Sequence, residues 1–155
     1  MNSKEYRFTK DWPYHVSGGG IIYRRDDNDI KVLVLVHHNG KYDIPKGTLH
    51  YGETLEQCAL REMKEESGQK GEIVGYLGGR LDEGVDKNSN VAISKITHYF
   101  AIKWISDTAT HDDEYERIEW MTIQEAQDAL NKPSSTEVLN RFKQFIDIFS
   151  DQMKI

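Results

Sequence analysis

Hydrophobic and polar positions change period several times along this chain. "HVSGGGIIYRR" (His15 to Arg25) predicts a strand opened by glycines, and "DDND" (Asp26 to Asp29) a turn. "KVLVLVHH" (Lys31 to His38) is apolar almost without interruption and predicts a strand buried in the middle of a sheet. Asn39-Gly40 marks a tight turn, with "YDI" a short strand behind it. The period becomes helical in "ETLEQCALREMKEESG" (Glu53 to Gly68), where Leu55, Ala59 and Met63 form an apolar stripe. Thr54 stands at capping-box spacing from Gln57, and Gly68 is suited to end the helix. Strand patterning returns in "KGEIVGYLGGRL" and stops at a polar loop, "DEGVDKNSN" (Asp82 to Asn90). A long alternating strand follows over Val91 to Ile105, then a shorter one in "EYERIEWMT" (Glu114 to Thr122). Two helices are predicted next: "IQEAQDALN", then a C-terminal one from near Ser134-Ser135. In the latter, Val138, Phe142, Phe145 and Phe149 share a face suited to core packing, with a dimer contact the alternative. Strands on both sides of a helix, followed by helices, predict an α/β sandwich with a mixed sheet.

Length and composition narrow the class without changing that picture. At 155 residues the chain reads as a single domain, residues 1–155, with one substantial core. Its 30% charged and 37% hydrophobic residues match a soluble globular protein. The run "VLVLV" is far too short for a bilayer, so no membrane partner is expected. The N-terminal "MNSKEYRFTKDW" has no signal-peptide h-region, and the lone Cys58 cannot form an internal disulfide. A cytoplasmic location is the expectation, as a monomer or homodimer. A net charge of −6, from 26 acidic and 20 basic residues, argues against a stable nucleic-acid partner. It leaves a phosphate substrate open, because a bound cation inverts the local field.

The candidate chemistry sits in the first helix. At 3.6 residues per turn Glu62, Glu65 and Glu66 fall within an arc of roughly 100°, beside the apolar stripe. Like charges at these spacings repel by a few tenths of a kcal/mol per pair, on the order of 0.3. A solvated acidic face is one reading. A cation cage is the other, and oxygen-only ligands favour Mg²⁺ or Mn²⁺. The preceding "IPKGTLHYGE" (Ile44 to Glu53) tilts the balance, because its glycines permit close backbone approach and Lys46 can meet phosphate oxygens. Turn and cluster together suggest metal-assisted phosphate chemistry.

The spacing also resembles a known family. Gly47, Glu53 and the run Arg61-Glu62-Met63-Lys64-Glu65-Glu66-Ser67-Gly68 match the Nudix box, G-x5-E-x7-R-E-U-x-E-E-x-G-U, with U a bulky aliphatic. Gln69 departs from it, standing where an aliphatic is usual. The resemblance implies an α/β/α sandwich and an enzyme that hydrolyses a nucleoside diphosphate linked to another group. Glu62, Glu65 and Glu66 would ligate the metal, while Arg61 and Glu53 would brace the loop–helix–loop. Glu114, in an acidic loop ahead of "W-x-x-x-E-A" (Trp120 to Ala126), is the candidate base or further ligand beside the box glutamates.

Substrate expectations follow from the same resemblance. "YDIPKG" (Tyr42 to Gly47) is similar to the "W-x-x-P-K-G" signature of dinucleoside polyphosphate and diphosphoinositol polyphosphate hydrolases, with Tyr42 in place of tryptophan. Tyr42, Lys46, Gly47, Lys95 and Tyr99 are the candidate substrate contacts, Tyr99 to stack on adenine and Lys95 to meet a distal phosphate. Alternation puts Lys95 and Tyr99 on one face of their strand and His98 on the other. The expected reaction is Mg²⁺-dependent hydrolysis of a dinucleoside polyphosphate such as diadenosine tetraphosphate. The alternatives are a nucleoside triphosphate, ADP-ribose, a diphosphoinositol polyphosphate or a 5′-capped RNA, or a Nudix-fold module that binds a nucleotide without cleaving it.

Overall fold

The computed structural model describes residues 14–85, 88 and 90–153, so the N-terminal arm lies outside the described residues. Strands β1 (Tyr14–Asp26), β2 (Asp29–His37), β3 (Tyr42–Asp43), β5 (Gln69–Val85) and β6 (Ala92–Asp107) form one sheet in the order β3-β2-β1-β6-β5. The short β4 (Lys46–Thr48) pairs with β1, and β7 (Tyr115–Thr122) with β2. β1 runs parallel to β6, whereas its pairings with β2 and β4 are antiparallel, so the sheet is mixed as the pattern predicts.

Alternation along the central strands divides their side chains between two cores. Ile21, Tyr23, Val32, Val34, Tyr99 and Ala101 pack with Leu130, Val138, Leu139, Phe142 and Ile146. The intervening Ile22, Leu33, Leu35, Phe100 and Ile102 pack with Ala59 and Met63. Helix α1 (Leu55–Ser67) therefore covers one face of the sheet, and α2 (Ile123–Ala129) with α3 (Pro133–Met153) the other. This α/β/α sandwich explains the uninterrupted apolar run of β2, which is buried on both faces.

Two expectations are revised. The polar loop starts later than Asp82: β5 runs on to Val85, pairing Asp82 with Lys95 and Val85 with Ala92. That end of the β5–β6 hairpin projects beyond the core, so its residues keep strand geometry without apolar alternation. The other revision is β4, inside a segment that reads as loop. Its three residues owe their strand geometry to pairing with Ser17, Gly18 and Gly19, a long-range contact with no local signature. Helix α3 begins at Pro133, just ahead of the predicted serines, and proline is favoured at a first helical position because its missing N–H would have no partner there.

Candidate active site

The loop and helix that carry the glutamates are fixed by local chemistry. Thr54 caps α1 through a complete capping box with Gln57, and Gly68 ends it in the left-handed conformation at φ 74°. A side chain at Gly18 would come within 2.9 Å of the Leu55 carbonyl oxygen, so glycine there lets α1 lie directly on β1. Gly47 serves the same purpose for Glu62, whose carboxylate occupies the space where a Gly47 Cβ would stand.

Arg61 joins the parts. Its Nε donates to Glu53 Oε2 at 2.6 Å and its Nη2 to Glu53 Oε1 at 3.0 Å. Nη2 also donates to the Thr48 carbonyl at 2.8 Å, and Nη1 to Glu62 Oε1 at 2.7 Å and Glu65 Oε2 at 3.3 Å. Glu53 in turn accepts the His50 amide at 2.8 Å. Burial alone would raise the Glu53 pKa, but the Arg61 hydrogen bond and the His50 amide outweigh it and hold the carboxyl below its ordinary range. Burial likewise opposes the Arg61 charge, and Glu53 and Glu62 more than restore it. A bidentate arginine–carboxylate pair with a backbone acceptor ties the loop to the middle of α1.

The three box glutamates have different surroundings. Glu66 is 2% exposed, accepts the Lys46 amide at 2.9 Å and is hydrogen-bonded to Tyr115. Burial, with the Glu62 charge second, pushes its pKa up to about 8. Glu62 is also raised, first by burial and then by Glu65 and Glu114, against the pull of Arg61. Glu65 is half exposed. Glu114 lies in the exposed loop before β7, its N–H donating to Asp112 Oδ1 at 3.1 Å, and its charge is felt at both Glu62 and Glu66. Among the described residues no three carboxylates, imidazoles or thiols converge in a metal-ready cluster, and Arg61 is hydrogen-bonded to both Glu62 and Glu65. The donor chemistry nevertheless fits a hard divalent cation. It is all oxygen, and such a cation would offset both the burial that chiefly raises Glu62 and Glu66 and the carboxylate repulsion that adds to it.

Lys46 connects this cluster to the other face of the sheet. Its amide meets Glu66, while its Nζ donates to Asp43 Oδ1 at 3.0 Å. Asp43, 5% exposed, also accepts from Lys132 Nζ at 3.3 Å, Ser135 Oγ at 3.3 Å and the Ile44 amide at 2.8 Å. Burial would raise its pKa, but Lys46, the Ile44 amide and Lys132 together lower it. A cavity of about 370 Å³ opens beside Lys46, with Arg80, Lys95, Thr97, Tyr99 and Lys132 among its lining residues.

The predicted substrate contacts are thus distributed unevenly. Lys46, Lys95 and Tyr99 come together at the cavity, and His98 lies across the sheet against Tyr76, its Nδ1 2.7 Å from the Tyr76 hydroxyl. Tyr99 is 1% exposed, so its ring face is closed to the expected stacking on adenine. Tyr42 lines a neighbouring pocket with His37 and Lys41 that shares Lys132 with the cavity, and Gly47 faces α1. The sequence reading missed Asp43, Lys132, Arg80 and Tyr115. Only Asp43 left a trace, as an acid inside a short strand just before "IPKG".

Comparison with known proteins agrees with the geometry. The NUDIX domain family profile matches residues 13–142. An 8-oxo-(d)GTP phosphatase of Mycolicibacterium smegmatis is 32% identical over 114 residues, which cover 72% of this chain and 34% of that protein. A putative mutator protein MutT4 of Mycobacterium tuberculosis is 29% identical over 120 residues, 72% of this chain and 48% of the relative. The chain thus spans between a third and a half of the length of these relatives. An Ap4A hydrolase of C. elegans, solved as a binary complex, superposes with a TM-score of 0.66 at 20% identity, covering 87% of this chain and 99% of that one. A NUDIX hydrolase from Nitrosomonas europaea gives 0.67 at 19% identity, over 84% and 89%. These likenesses establish the fold, and the profile match over most of the chain establishes the family: the chain belongs to the Nudix family.

Proposed function

We propose that this chain is a pyrophosphohydrolase that cleaves a phosphoanhydride in a dinucleoside polyphosphate, such as diadenosine tetraphosphate. The observation that carries the reading is the double role of Lys46, whose amide touches the glutamate cluster while its side chain enters a lysine-rich cavity. Carboxylates suited to a cation and lysines suited to phosphate therefore meet across one short strand. The fold shared with the Ap4A hydrolase of C. elegans is consistent with it.

In this reading Glu62, Glu65 and Glu66 would hold Mg²⁺ or Mn²⁺, with Arg61 and Glu53 keeping the helix and loop in place. A bound divalent cation supplies charge neutralisation, orientation of the phosphates and activation of water. Glu114 accepts the proton of the attacking water, and Lys46 steadies the phosphate chain. Water adds to phosphorus, the bridging P–O bond breaks, and two phosphorylated products leave.

A second reading, hydrolysis of an oxidised nucleoside triphosphate, draws support from the 8-oxo-(d)GTP phosphatase match over 72% of the chain. A Mg²⁺ assay over diadenosine tetraphosphate, 8-oxo-dGTP, ADP-ribose, a diphosphoinositol polyphosphate and NAD-capped RNA separates these. The highest kcat/KM is expected for diadenosine tetraphosphate. Turnover of that compound far below that of 8-oxo-dGTP would replace the first reading by the second.

A further inference from the structure

The stretch from Thr108 to Glu114 joins β6 to β7 and leaves every side chain exposed or partly exposed, so apolar packing does not hold it. Hydrogen bonds to the end of α1 hold it instead. Thr108 donates to the Gly68 carbonyl twice, from its amide and from its Oγ1, each at 2.7 Å. The Asp112 amide donates to the Glu65 carbonyl at 2.8 Å. Both acceptors lie at the C-terminal end of the helix, where carbonyls lack helical partners. A side chain at Gly68 would come within 2.7 Å of the Thr110 carbonyl oxygen, so this glycine admits the loop as well as ending the helix. Within the loop, Ala109 is left-handed at φ 63°, uncommon for a residue with a Cβ, and its amide donates to Asp107 Oδ1 at 2.6 Å.

These attachments flank Glu114 on both sides. Before it, Asp112 Oδ1 accepts the Glu114 amide at 3.1 Å, and the Asp113 carbonyl accepts from His38 Nε2, just past β2, at 2.9 Å. After it, Tyr115 is buried and hydrogen-bonded to Glu66. The Glu114 carboxylate itself accepts no hydrogen bond among the described residues, so its placement comes from its neighbours.

We infer that Asp112 and Thr108 are positioning residues, which latch this loop to the carbonyl end of α1 so that Glu114 is held near Glu62 and Glu66 to take up the proton of the attacking water. The inference rests on the proton-acceptor role proposed above for Glu114 and adds what fixes that residue. Asp112 acts at both of its ends, its amide on the Glu65 carbonyl and its carboxylate on the Glu114 amide. The loop thereby takes its position from the same helix that carries the glutamates.

The test combines Asp112→Ala, Asp112→Asn and Thr108→Val with Glu114→Gln, on whichever substrate of the panel above is turned over best. Asp112 is exposed, and the Thr108 amide keeps its bond to Gly68 in the valine variant, so these changes do not threaten the fold. Amide hydrogen exchange of the metal-free protein should quicken across residues 108–115 in Asp112→Ala and Thr108→Val and stay unchanged along the rest of the chain. In both, kcat should fall about tenfold with KM within about twofold, and Asp112→Asn should recover most of the loss because its side-chain oxygen still accepts the Glu114 amide. Glu114→Gln alone should lose on the order of a hundredfold, and adding Asp112→Ala to it should cost less than about twofold more, since both act through one carboxylate. Unchanged exchange or unchanged kcat in the two loop variants, or losses that multiply in the double variant, overturns the positioning role. A Glu114→Gln loss below about twofold removes Glu114 as proton acceptor and the inference with it. The expected pattern on another substrate of the panel, without turnover of diadenosine tetraphosphate, would sustain the latch and sink the proposed substrate.

Discussion

Arg61 carries more of the site's geometry than any other single side chain. Its guanidinium reaches Glu53 twice, Glu62, Glu65 and the Thr48 carbonyl, all from one planar group. A lysine keeps the charge but cannot reproduce the fork. Arg61→Lys should therefore leave Glu53 and the Thr48 carbonyl incompletely answered and destabilise the chain by about 2–3 kcal/mol. Urea unfolding checks this, and a change below about 0.5 kcal/mol would show that the pairing is dispensable. Gln69 makes a different point. An amide at a position that is usually aliphatic should be costly when 3% exposed, yet its Oε1 accepts from Trp104 Nε1 at 2.7 Å and its Nε2 donates to the Ser67 carbonyl at 3.2 Å. The departure from the box is absorbed by hydrogen bonding, and α1 still ends at Gly68.

Among the elements, those with local chemistry were legible and those made by distant contacts were not. The capping box, the Gly68 exit and the Leu55–Ala59–Met63 stripe together announce α1 in the sequence. The structure adds a second capping box, Thr122 with Glu125, at the start of α2, where the sequence reading places a helix without one. Phe142 joins the core at 0% exposure whereas Phe149 is 37% exposed, so the predicted phenylalanine stripe runs from core to surface along α3. Strand β4 left no pattern and the Asp43 network only the acid itself, because each depends on partners far along the chain. Asp43 meets Lys132 and Ser135, roughly ninety residues away. That network ties β3 to the start of α3, and Asp43→Asn should cost about 3 kcal/mol by leaving two lysines without their shared carboxylate. The Asp43 pKa is lower in the folded chain than the unfolded value, so its stabilisation is present above the unfolded pKa and lost as pH falls through the folded one. Chemical denaturation at pH 7 and again at successively lower pH should show the gap between Asp43→Asn and the unaltered chain closing in acid. A gap that stays constant with pH would rule out the ionised carboxylate as the source.

For the molecule as a whole, the α/β/α sandwich brings two unlike surfaces within one strand of each other. Helix α1 presents carboxylates on one side, and β6 with the start of α3 presents lysines on the other. The glutamates could be read in the sequence because family spacing marks them. Of the cavity, Lys46, Lys95 and Tyr99 were named through the same resemblance, whereas Arg80 and Lys132 come from separate segments and join them only in the folded sheet. No described helix is long and apolar enough to cross a membrane. If the glutamates of α1 hold a divalent cation for phosphoanhydride hydrolysis, turnover depends on both the cation and the carboxylates. Product release from diadenosine tetraphosphate should be steady with Mg²⁺ and fall on the order of a hundredfold or more both under EDTA and in Glu65→Gln. Hydrolysis that continues undiminished in Glu65→Gln, or in EDTA, would overturn the metal assignment.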